Sequence, residues 1–370
     1  MDKHLHIVCP DVPWPADYGG VIDPYYLLKY LQAAGIQIYL HCFTKNRSPQ
    51  HELNRYCKEV HYYPRKRFCF PSTTLPYIVQ SRSDKKLLKE LLRNDFPILF
   101  QGIHCTYFAY CNKLPGRKLL LRPFNVESIY YAQLAALEKN PFKKYYYKRE
   151  SRLLEDFEKI MTSKLPVLAL SRDDQAFFAR YTSANDFIPV LLPWQNVIAP
   201  PGTGTYCLYQ GNLSVNENEK AVEWLLAEVF HQLPYSLIIA GKKPGRNLIA
   251  LINKHTHATL ISNPTEQKLQ TLISDAQIIL APSFNHTGIK LKILNALFNG
   301  RHCIANTQAV KGSGIEALIT LADNAQQMQE VIRKLMPMAL ETKEKERRSA
   351  LLLEGYDNKK NADKIIAWIY

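Results

Sequence analysis

The chain has no pair of cysteines in a CxxC arrangement, no low-complexity tract and no long uncharged apolar run. Its eight cysteines are too sparse for a disulfide scaffold, and without CxxC pairs a zinc ribbon or redox motif loses its main support. Several cysteines lie in apolar runs, which is typical of buried free thiols in a reducing compartment. No run approaches the roughly 18 apolar residues of a spanning helix, and MDKHLHIVCP lacks the apolar region of a signal peptide. We therefore expect a cytoplasmic protein.

Positive charge is concentrated in the first part of the chain. Residues 1–200 carry 28 basic and 18 acidic side chains, whereas the remainder carries 19 and 15. Such a surface is expected to meet an anionic partner, either a membrane, a phosphorylated substrate or nucleic acid. The segments HYYPRKRFCF and FKKYYYKRE combine aromatic and basic residues, which suits lipid headgroups or single-stranded nucleic acid. Because no RNP, KH or helix-turn-helix signature is present, we expect no nucleic-acid partner.

Short apolar runs alternate with longer helical segments, and this pattern occurs twice. The first series begins with LHIVCP, the loop DVPWPADYGG and the helical segment VIDPYYLLKYLQAAG, and the second begins with TYCLYQG. The alternation predicts an α/β fold with two parallel sheets. Between the two series, FIPVLLPWQNVIAPPGTGT is rich in proline and glycine, as domain linkers are. We predict two Rossmann-like domains that face each other across a cleft, where the carboxyl ends of the strands bind ligands.

Two glycine-containing loops are candidate anion sites. Gly19 and Gly20 follow the first strand and precede a helix, although a tight turn without a ligand explains them equally well. In the second series, Gly288 is expected to open a helix that carries Lys290 and Lys292, which would combine free amides with an ammonium group. The two lysines would diverge by about 200° around the helix, so only one would face the cleft. A plain surface helix is the alternative.

Polar side chains at the ends of other predicted strands extend the candidate set: Gly211, Asn212 and Lys220 in the second series, and Gln101, His104, Asn125 and Glu127 in the first. A lone histidine is more often structural than functional. The position of His104 at a strand end favours a binding role, because binding residues gather there in parallel sheets.

The chain resembles a family 4 glycosyltransferase of the GT-B fold, in the bacterial mannosyltransferase-like branch. The likeness extends from residue 5 to the last helix and rests on DYGGVIDPYYLLKYLQAAG, FNVESIYYAQLAALEKNPF, YQGN, SDAQIILAPSF and TGIKLKILNALFNG. It implies an acceptor-binding domain at residues 1–197, a nucleotide-sugar-binding domain at 198–354 and a C-terminal helix at 355–370 that packs back on the first domain. It also implies retention of anomeric configuration, with the nucleotide sugar as substrate and no cofactor or obligatory metal.

The resemblance assigns a role to each candidate residue. Catalysis is expected of His104 and Lys290, and the acceptor side is expected to include Gln101, Asn125 and Glu127. The donor-binding residues are expected to be Gly19, Gly20, Gly211, Asn212, Lys220, His286, Thr287, Gly288 and Asn295.

The chain also departs from the family pattern. The family's two-glutamate motif would place carboxylates near Thr287 and Asn295, and neither residue is acidic. Phe124 stands where related proteins read histidine in HNVE, and the common acceptor-side histidine would fall near Gln101. These departures keep a catalytically weak or inactive binding protein of the same fold as an alternative.

We therefore predict a retaining glycosyltransferase, a hexosyltransferase that takes its sugar from UDP- or GDP-sugar. The acceptor is expected to be a hydroxyl of a glycan or lipid-linked molecule in the synthesis of cell-surface polysaccharide. Basic residues of the first domain are expected to hold the enzyme weakly on the anionic inner face of the plasma membrane. A basic nucleic-acid-binding protein is the further alternative, recognisable by a steep dependence of binding on salt.

Overall fold

The computed structural model describes residues 3–69, 72–285 and 287–370, and the chain divides into two compact units. The first unit contains Met1–Pro193 and Tyr356–Tyr370, and the second contains Trp194–Gly355. Each unit has its own parallel β-sheet with helices between successive strands. The predicted α/β class is confirmed.

The sheet of the first unit has seven strands in the order β3-β2-β1-β4-β5-β6-β7. Its strands are β1 His4–Cys9, β2 Gln37–Thr44, β3 Glu59–Pro64, β4 Ile98–Gln101, β5 Leu119–Arg122, β6 Val167–Ala169 and β7 Asn185–Phe187. The helices that connect them are α1 Gly19–Ala33, α2 Tyr77–Gln80, α3 Lys85–Leu91, α4 Tyr107–Tyr110, α5 Glu127–Leu137, α6 Pro141–Lys164 and α7 Arg172–Phe178. The central strands consist mainly of buried apolar residues because helices cover both faces of the sheet.

The second unit has a six-stranded sheet in the order β10-β9-β8-β11-β12-β13. Its strands are β8 Tyr206–Asn212, β9 Ser236–Lys242, β10 Ala258–Ser262, β11 Ile278–Leu280, β12 His302–Ala305 and β13 Thr320–Leu321. Its helices are α8 Asn216–Trp224, α9 Arg246–Ile252, α10 Glu266–Asp275, α11 Leu291–Asn299, α12 Thr307–Val310, α13 Ala325–Leu335 and α14 Thr342–Tyr356. In both sheets the chain builds outward from a central strand in one direction and then in the other, as Rossmann-like folds do.

The last helix, α15 Asn358–Ile369, belongs to the first unit and packs against α1. Ile365 and Ile369 are fully buried in the same core cluster as Leu27 and Leu31 of α1. The side chain of Asn358 accepts from the backbone N–H of Leu192 at 2.8 Å and donates to its carbonyl oxygen at 2.7 Å. The predicted return of the C-terminal helix to the first domain is therefore confirmed.

A buried ion pair joins α1 to β5. Arg122 donates through Nε and Nη2 to both carboxylate oxygens of Asp23, and neither side chain is exposed. Arg122 also donates to the carbonyl oxygens of Ile188 and Pro189, and Asp23 accepts from the N–H of Leu191. Every strong hydrogen-bonding group of the pair has a partner, which is the condition for burying two charges.

A chain of buried imidazoles crosses three strands of the first sheet. The side-chain oxygen of Asn94 accepts from the N–H of Phe96, so Nε2 of His6 must donate to that oxygen at 2.8 Å. Nδ1 of His6 then accepts from Nε2 of His41 at 2.8 Å, and Nδ1 of His41 accepts from the hydroxyl of Tyr63 at 2.8 Å. Every ring nitrogen is satisfied with both imidazoles neutral. Burial lowers the pKa of His6 to about 4 and the pKa of His41 well below its ordinary value.

Within the part of the chain that the structure describes, no helix is both long and apolar enough to cross a membrane.

Candidate functional site

Both sheets have a point where the direction of strand addition reverses. In the second unit this point lies between β8 and β11, because β9 pairs with β8 on the opposite side. Loops that leave neighbouring strands there diverge to opposite faces and open a crevice at the carboxyl edge, where such sheets bind ligands. The loop after β8 leads into α8, and the loop after β11 leads into α11. Of the predicted donor-binding residues, Gly211 and Asn212 end β8, and Thr287 and Gly288 lie in the loop after β11.

Lys290 and Glu217 meet at this crevice. Nζ of Lys290 lies 3.7 Å from Oε1 of Glu217, and the two side chains are only 13% and 19% exposed. Nζ of Lys290 also donates to the carbonyl oxygen of Thr287 at 3.0 Å. Glu217 accepts a short hydrogen bond from the hydroxyl of Ser283. Burial lowers the pKa of Lys290, while the adjacent Glu217 carboxylate opposes the shift.

Lys292 lies deeper in the same cluster. Its Nζ donates to the hydroxyl of Tyr209 at 3.3 Å and to the side-chain oxygen of Asn218 at 3.2 Å, and it lies 4.7 Å from the centre of the Tyr209 ring. Burial lowers the pKa of Lys292 to about 8, and Glu217 opposes the shift. Lys292 is therefore bound within the protein and is not a plain surface lysine, and the prediction that only one of the two lysines faces the crevice stays a prediction.

The backbone before α11 differs from the predicted helix. The helix begins at Leu291, three residues after the predicted start, so Lys290 lies outside the regular helix and the expected divergence around one axis does not apply. Gly288 has a φ of +69°, a conformation that a side chain would strain. The side-chain oxygen of Asn285 accepts from both the N–H and the hydroxyl of Thr287, each at 2.8 Å. The segment is therefore a hydrogen-bonded turn that turns Lys290 towards Glu217.

The other predicted donor residues of this unit lie at the same edge or inside α11. Gly211 and Asn212 end β8, and a Cβ on Gly211 would lie 3.1 Å from the side chain of Asn218. Lys220 is half-buried on α8. Asn295 is buried in α11, where its side-chain oxygen accepts from Asn299 at 2.7 Å. His286 lies outside the described residues.

In the first unit, Gly19 and Gly20 open α1 at the corresponding point between β1 and β4. A Cβ on Gly20 would lie 2.9 Å from the ring of Tyr18, which packs across it. The hydroxyl of Tyr18 donates to Asp11 at 2.8 Å, and Arg47 lies 4.9 Å from the ring centre and pairs with Asp17. The charged groups around this helix start are therefore the carboxylates of Asp11 and Asp17, and Arg47 pairs with both.

Gln101 ends β4 on the other side of that point and is fully buried, and His104, which follows it, is half-buried. The amide nitrogen and oxygen of Gln101 and the buried Nδ1 of His104 have no hydrogen-bond partner among the described residues. Gly102 has a φ of +84°, and a Cβ there would lie 3.0 Å from both His104 and Phe124. Burial lowers the pKa of His104 well below its ordinary value, and Arg82 and Arg65 add to the shift. Three unsatisfied polar atoms at a strand end are costly unless water or a ligand meets them.

Asn125 and Glu127 lie at the next strand end, beside the carboxyl group of Glu158. Asn125 donates to Glu127 at 3.0 Å, and Glu158 accepts from the N–H of Glu127 at 2.6 Å and from the hydroxyl of Ser128 at 2.5 Å. Burial raises the pKa of Glu127 to about 8, with Glu158 adding to the shift, and burial raises the pKa of Glu158 to about 7. Glu158 thus caps the start of α5, and Glu127 is poised to be protonated near neutral pH.

Sequence reasoning missed Glu217, Ser283, Tyr209 and Asn218. Glu217 is the second residue of α8, in NENEK, where an acidic residue is typical of a helix start. Its contacts with Ser283 and Lys290 join segments more than 60 residues apart, so no local signal could reveal them. Among residues 3–69, 72–285 and 287–370, no cluster of three or more His, Cys, Asp or Glu side chains could hold a metal ion.

Comparisons with known proteins show which family and which relatives the chain is similar to. Residues 204–337 match the family described as "Glycosyl transferases group 1". An uncharacterized 44.6 kDa protein in the cps region of Klebsiella pneumoniae is 27% identical over 337 residues, which cover 83% of this chain and 84% of the relative.

Solved structures show the same fold at low sequence identity. A glycosyltransferase from Rickettsia africae ESF-5 has a TM-score of 0.66 at 14% identity, with 100% of this chain and 98% of that chain covered. The HepE protein of Anabaena, solved in complex with UDP and glucose, has a TM-score of 0.65 at 11% identity, with 99% and 98% covered. The predicted GT-B fold is confirmed.

Proposed function

We propose that this group 1 glycosyltransferase of the GT-B fold moves a sugar from UDP- or GDP-sugar to a hydroxyl group of a glycan or lipid-linked acceptor, with retention of configuration. The HepE structure contains UDP and glucose, which supports a nucleotide-sugar donor. The relative of this chain in a cps region supports a role in cell-surface polysaccharide synthesis.

The observation that carries the proposal is the pair of ammonium groups at the crevice of the second unit. Lys290 and Lys292 are held by Thr287, Tyr209 and Asn218 in a largely water-excluded position. When the bond to the sugar breaks, negative charge collects on the departing diphosphate. Cations fixed in place before the reaction stabilise this charge without reorganising, which is usually the largest single contribution to such catalysis. With two ammonium groups available, the proposal requires no metal.

We assign the donor chiefly to the second unit and the acceptor to the first. Gln101 and His104 present buried polar atoms that no other described residue satisfies, and such atoms are suited to hydrogen-bonding a hydroxyl group. His104 is neutral near pH 7, so it would orient a hydroxyl, while an oxygen of the donor's own phosphate takes the acceptor's proton. The residue roles at Asn125, Glu127, Gly19 and Gly20 remain predictions within this assignment.

The first half of α6 is the best candidate for contact with an anionic membrane. Phe142 and Tyr145 are 84% and 71% exposed and lie three residues apart, so they share one face of the helix. Lys143 and Lys148 are also exposed and flank that face. Arg65 and Lys66, in the basic segment HYYPRKRFCF, are less available to a membrane. Arg65 donates to Ser81, and Lys66 donates to Ser83. We propose that α6 holds the enzyme at the cytoplasmic side of the plasma membrane, close to lipid-linked acceptors.

A thermal-shift screen of the full chain against UDP- and GDP-sugars tests the donor assignment, with an oligonucleotide as control. A ligand that binds only the folded protein raises Tm, and the shift grows with the logarithm of the ligand concentration above Kd. We expect one nucleotide-sugar class to raise Tm and the oligonucleotide to have no salt-sensitive effect. A shift with the oligonucleotide alone would favour the nucleic-acid alternative.

A binding protein with little turnover is the second candidate, and one observation favours it. Thr287 and Asn295 stand where the resemblance expects carboxylates, and the side-chain oxygen of Asn295 already accepts a hydrogen bond from Asn299. Donor binding without transfer or hydrolysis, measured by release of the nucleoside diphosphate, would identify this function.

A further inference from the structure

Glu217 is the one acidic side chain that reaches the ammonium group of Lys290 among the described residues. Two features hold the Glu217 side chain in place: the hydrogen bond from Ser283, and the position of Glu217 in the first turn of α8. The carboxylate therefore occupies space beside the group that would meet a donor phosphate. Because the cluster contains two lysines and one glutamate, its net charge is smaller than its lysines alone imply.

A diphosphate cannot approach Lys290 without also approaching this carboxylate. Like charges placed together in a largely water-excluded site cost several kcal/mol unless one of them moves or is neutralised. Glu217 is attached to the same chain as its partner, so its effective concentration at Lys290 exceeds that of small anions in solution. A doubly charged diphosphate that is also held through its nucleoside can displace it, whereas a free small anion cannot.

We propose that Glu217 is a specificity-determining residue. Its carboxylate pairs with the ammonium group of Lys290 in the protein without ligand, and the donor must displace the carboxylate to bind. This inference rests on the proposed function, because it assumes a nucleoside diphosphate at Lys290. The consequence is selectivity: inorganic phosphate and other small anions are kept out of the site, and affinity for the diphosphate is lower than the two lysines alone would provide.

The variant Glu217→Gln tests the inference directly. Glutamine keeps an oxygen that can accept from Ser283 and removes only the charge. Glu219→Gln is the matched control, because Glu219 lies in the same first turn of α8 and carries the same charge. Both variants change the charge at the helix start equally, so a difference between them reports the contact with Lys290.

Isothermal titration of the full chain with UDP and with GDP measures the effect. We expect Glu217→Gln to bind the preferred nucleotide about tenfold more tightly than wild type, since one like-charge contact is removed. Glu219→Gln should match wild type. Millimolar inorganic phosphate should weaken nucleotide binding by Glu217→Gln and leave wild type nearly unaffected.

The outcomes separate this inference from the proposed function. If wild type binds a nucleotide and Glu217→Gln binds it equally or more weakly, the inference is overturned while the function stands. If only Glu217→Gln binds, the inference is supported in its strongest form. If no variant binds UDP, GDP or their sugars, and Tm shows that all are folded, both the donor assignment and the inference are wrong.

Discussion

Arg122 and Asp23 form a two-point ion pair with Nε–Oδ2 and Nη2–Oδ1 distances of 2.7 and 2.8 Å, and both side chains are fully buried. Removing one partner leaves an uncompensated buried charge, so Asp23→Leu should lower the free energy of unfolding by about 3–5 kcal/mol. Chemical denaturation measures the loss. The double variant Asp23→Leu/Arg122→Met should recover a large part of it, and a double variant as unstable as the single one would show that packing, not charge, is the cause.

Lys290→Ala should reduce turnover at saturating donor by about 10²-fold or more, because in the proposed function it removes a cation that faces the departing diphosphate. Lys268→Ala, on the exposed surface of α10, is the control and should leave turnover unchanged. The measurement is initial rate of nucleoside diphosphate release. Wild-type turnover in Lys290→Ala would rule out this lysine as the catalytic cation.

His104→Ala should lower turnover by about 10–10²-fold, the loss expected when a hydroxyl is held less well, and less than a true general base would cause. Because burial keeps the pKa of His104 well below its ordinary value, the rate between pH 6 and 8 should not follow its titration. The pH–rate profiles of wild type and His104→Gln should therefore run parallel. A loss of 10⁴-fold would instead identify His104 as the base, and no loss would make it purely structural.

The imidazole chain predicts sensitivity to acid. The folded pKa of His6 is about 4 and its ordinary value is 6.5, so below pH 6.5 the unfolded state takes up a proton that the folded state does not. Stability from this group is complete above about pH 6.5 and is lost as the pH falls to about 4, by about 3 kcal/mol in total. His6→Gln cannot take up the proton. Its unfolding free energy should fall less than that of wild type over this interval, and equal slopes would contradict the neutral chain.

Binding to anionic vesicles should decrease as salt rises, because each lysine near the surface contributes about 1 kcal/mol. Pelleting with phosphatidylglycerol vesicles measures this, with phosphatidylcholine vesicles as the uncharged comparison. The double variant Phe142→Ala/Tyr145→Ala should bind less at every salt concentration, since it removes the exposed aromatic groups of α6. Protein that ignores anionic vesicles at low salt would point to a water-soluble acceptor.

Most of the fold could be predicted from the sequence because apolar runs and helical periodicity are local properties. The strand that ends at Gly211 and Asn212 follows from its apolar run, whereas the return of α15 was implied by the resemblance to a glycosyltransferase family. The fold is confirmed, and residues 204–337 match the group 1 glycosyltransferase model. The start of α11 was predicted too early, because the turn before it depends on two hydrogen bonds that Thr287 donates to the side chain of Asn285.

The arrangement of charges at the site could not be obtained from the sequence. Whether a lysine is free or paired depends on residues brought together by the sheet, as Glu217 and Ser283 are with Lys290. For the same reason His6 and His41 look like ordinary members of apolar strands, although they form one continuous hydrogen-bonded chain. Periodicity identifies which face is buried and says nothing about which polar groups meet there.

The return of α15 to the first unit also determines the order in which the protein can be completed during synthesis. The second unit is one continuous stretch, Trp194–Gly355, and all of it leaves the ribosome before α15 does. Until then, the surface that Ile365 and Ile369 will cover, next to Leu27 and Leu31, stays open to water. The first unit to be synthesised is thus the last to be finished, and its unfinished apolar surface is where a nascent chain is most exposed to aggregation or chaperone capture.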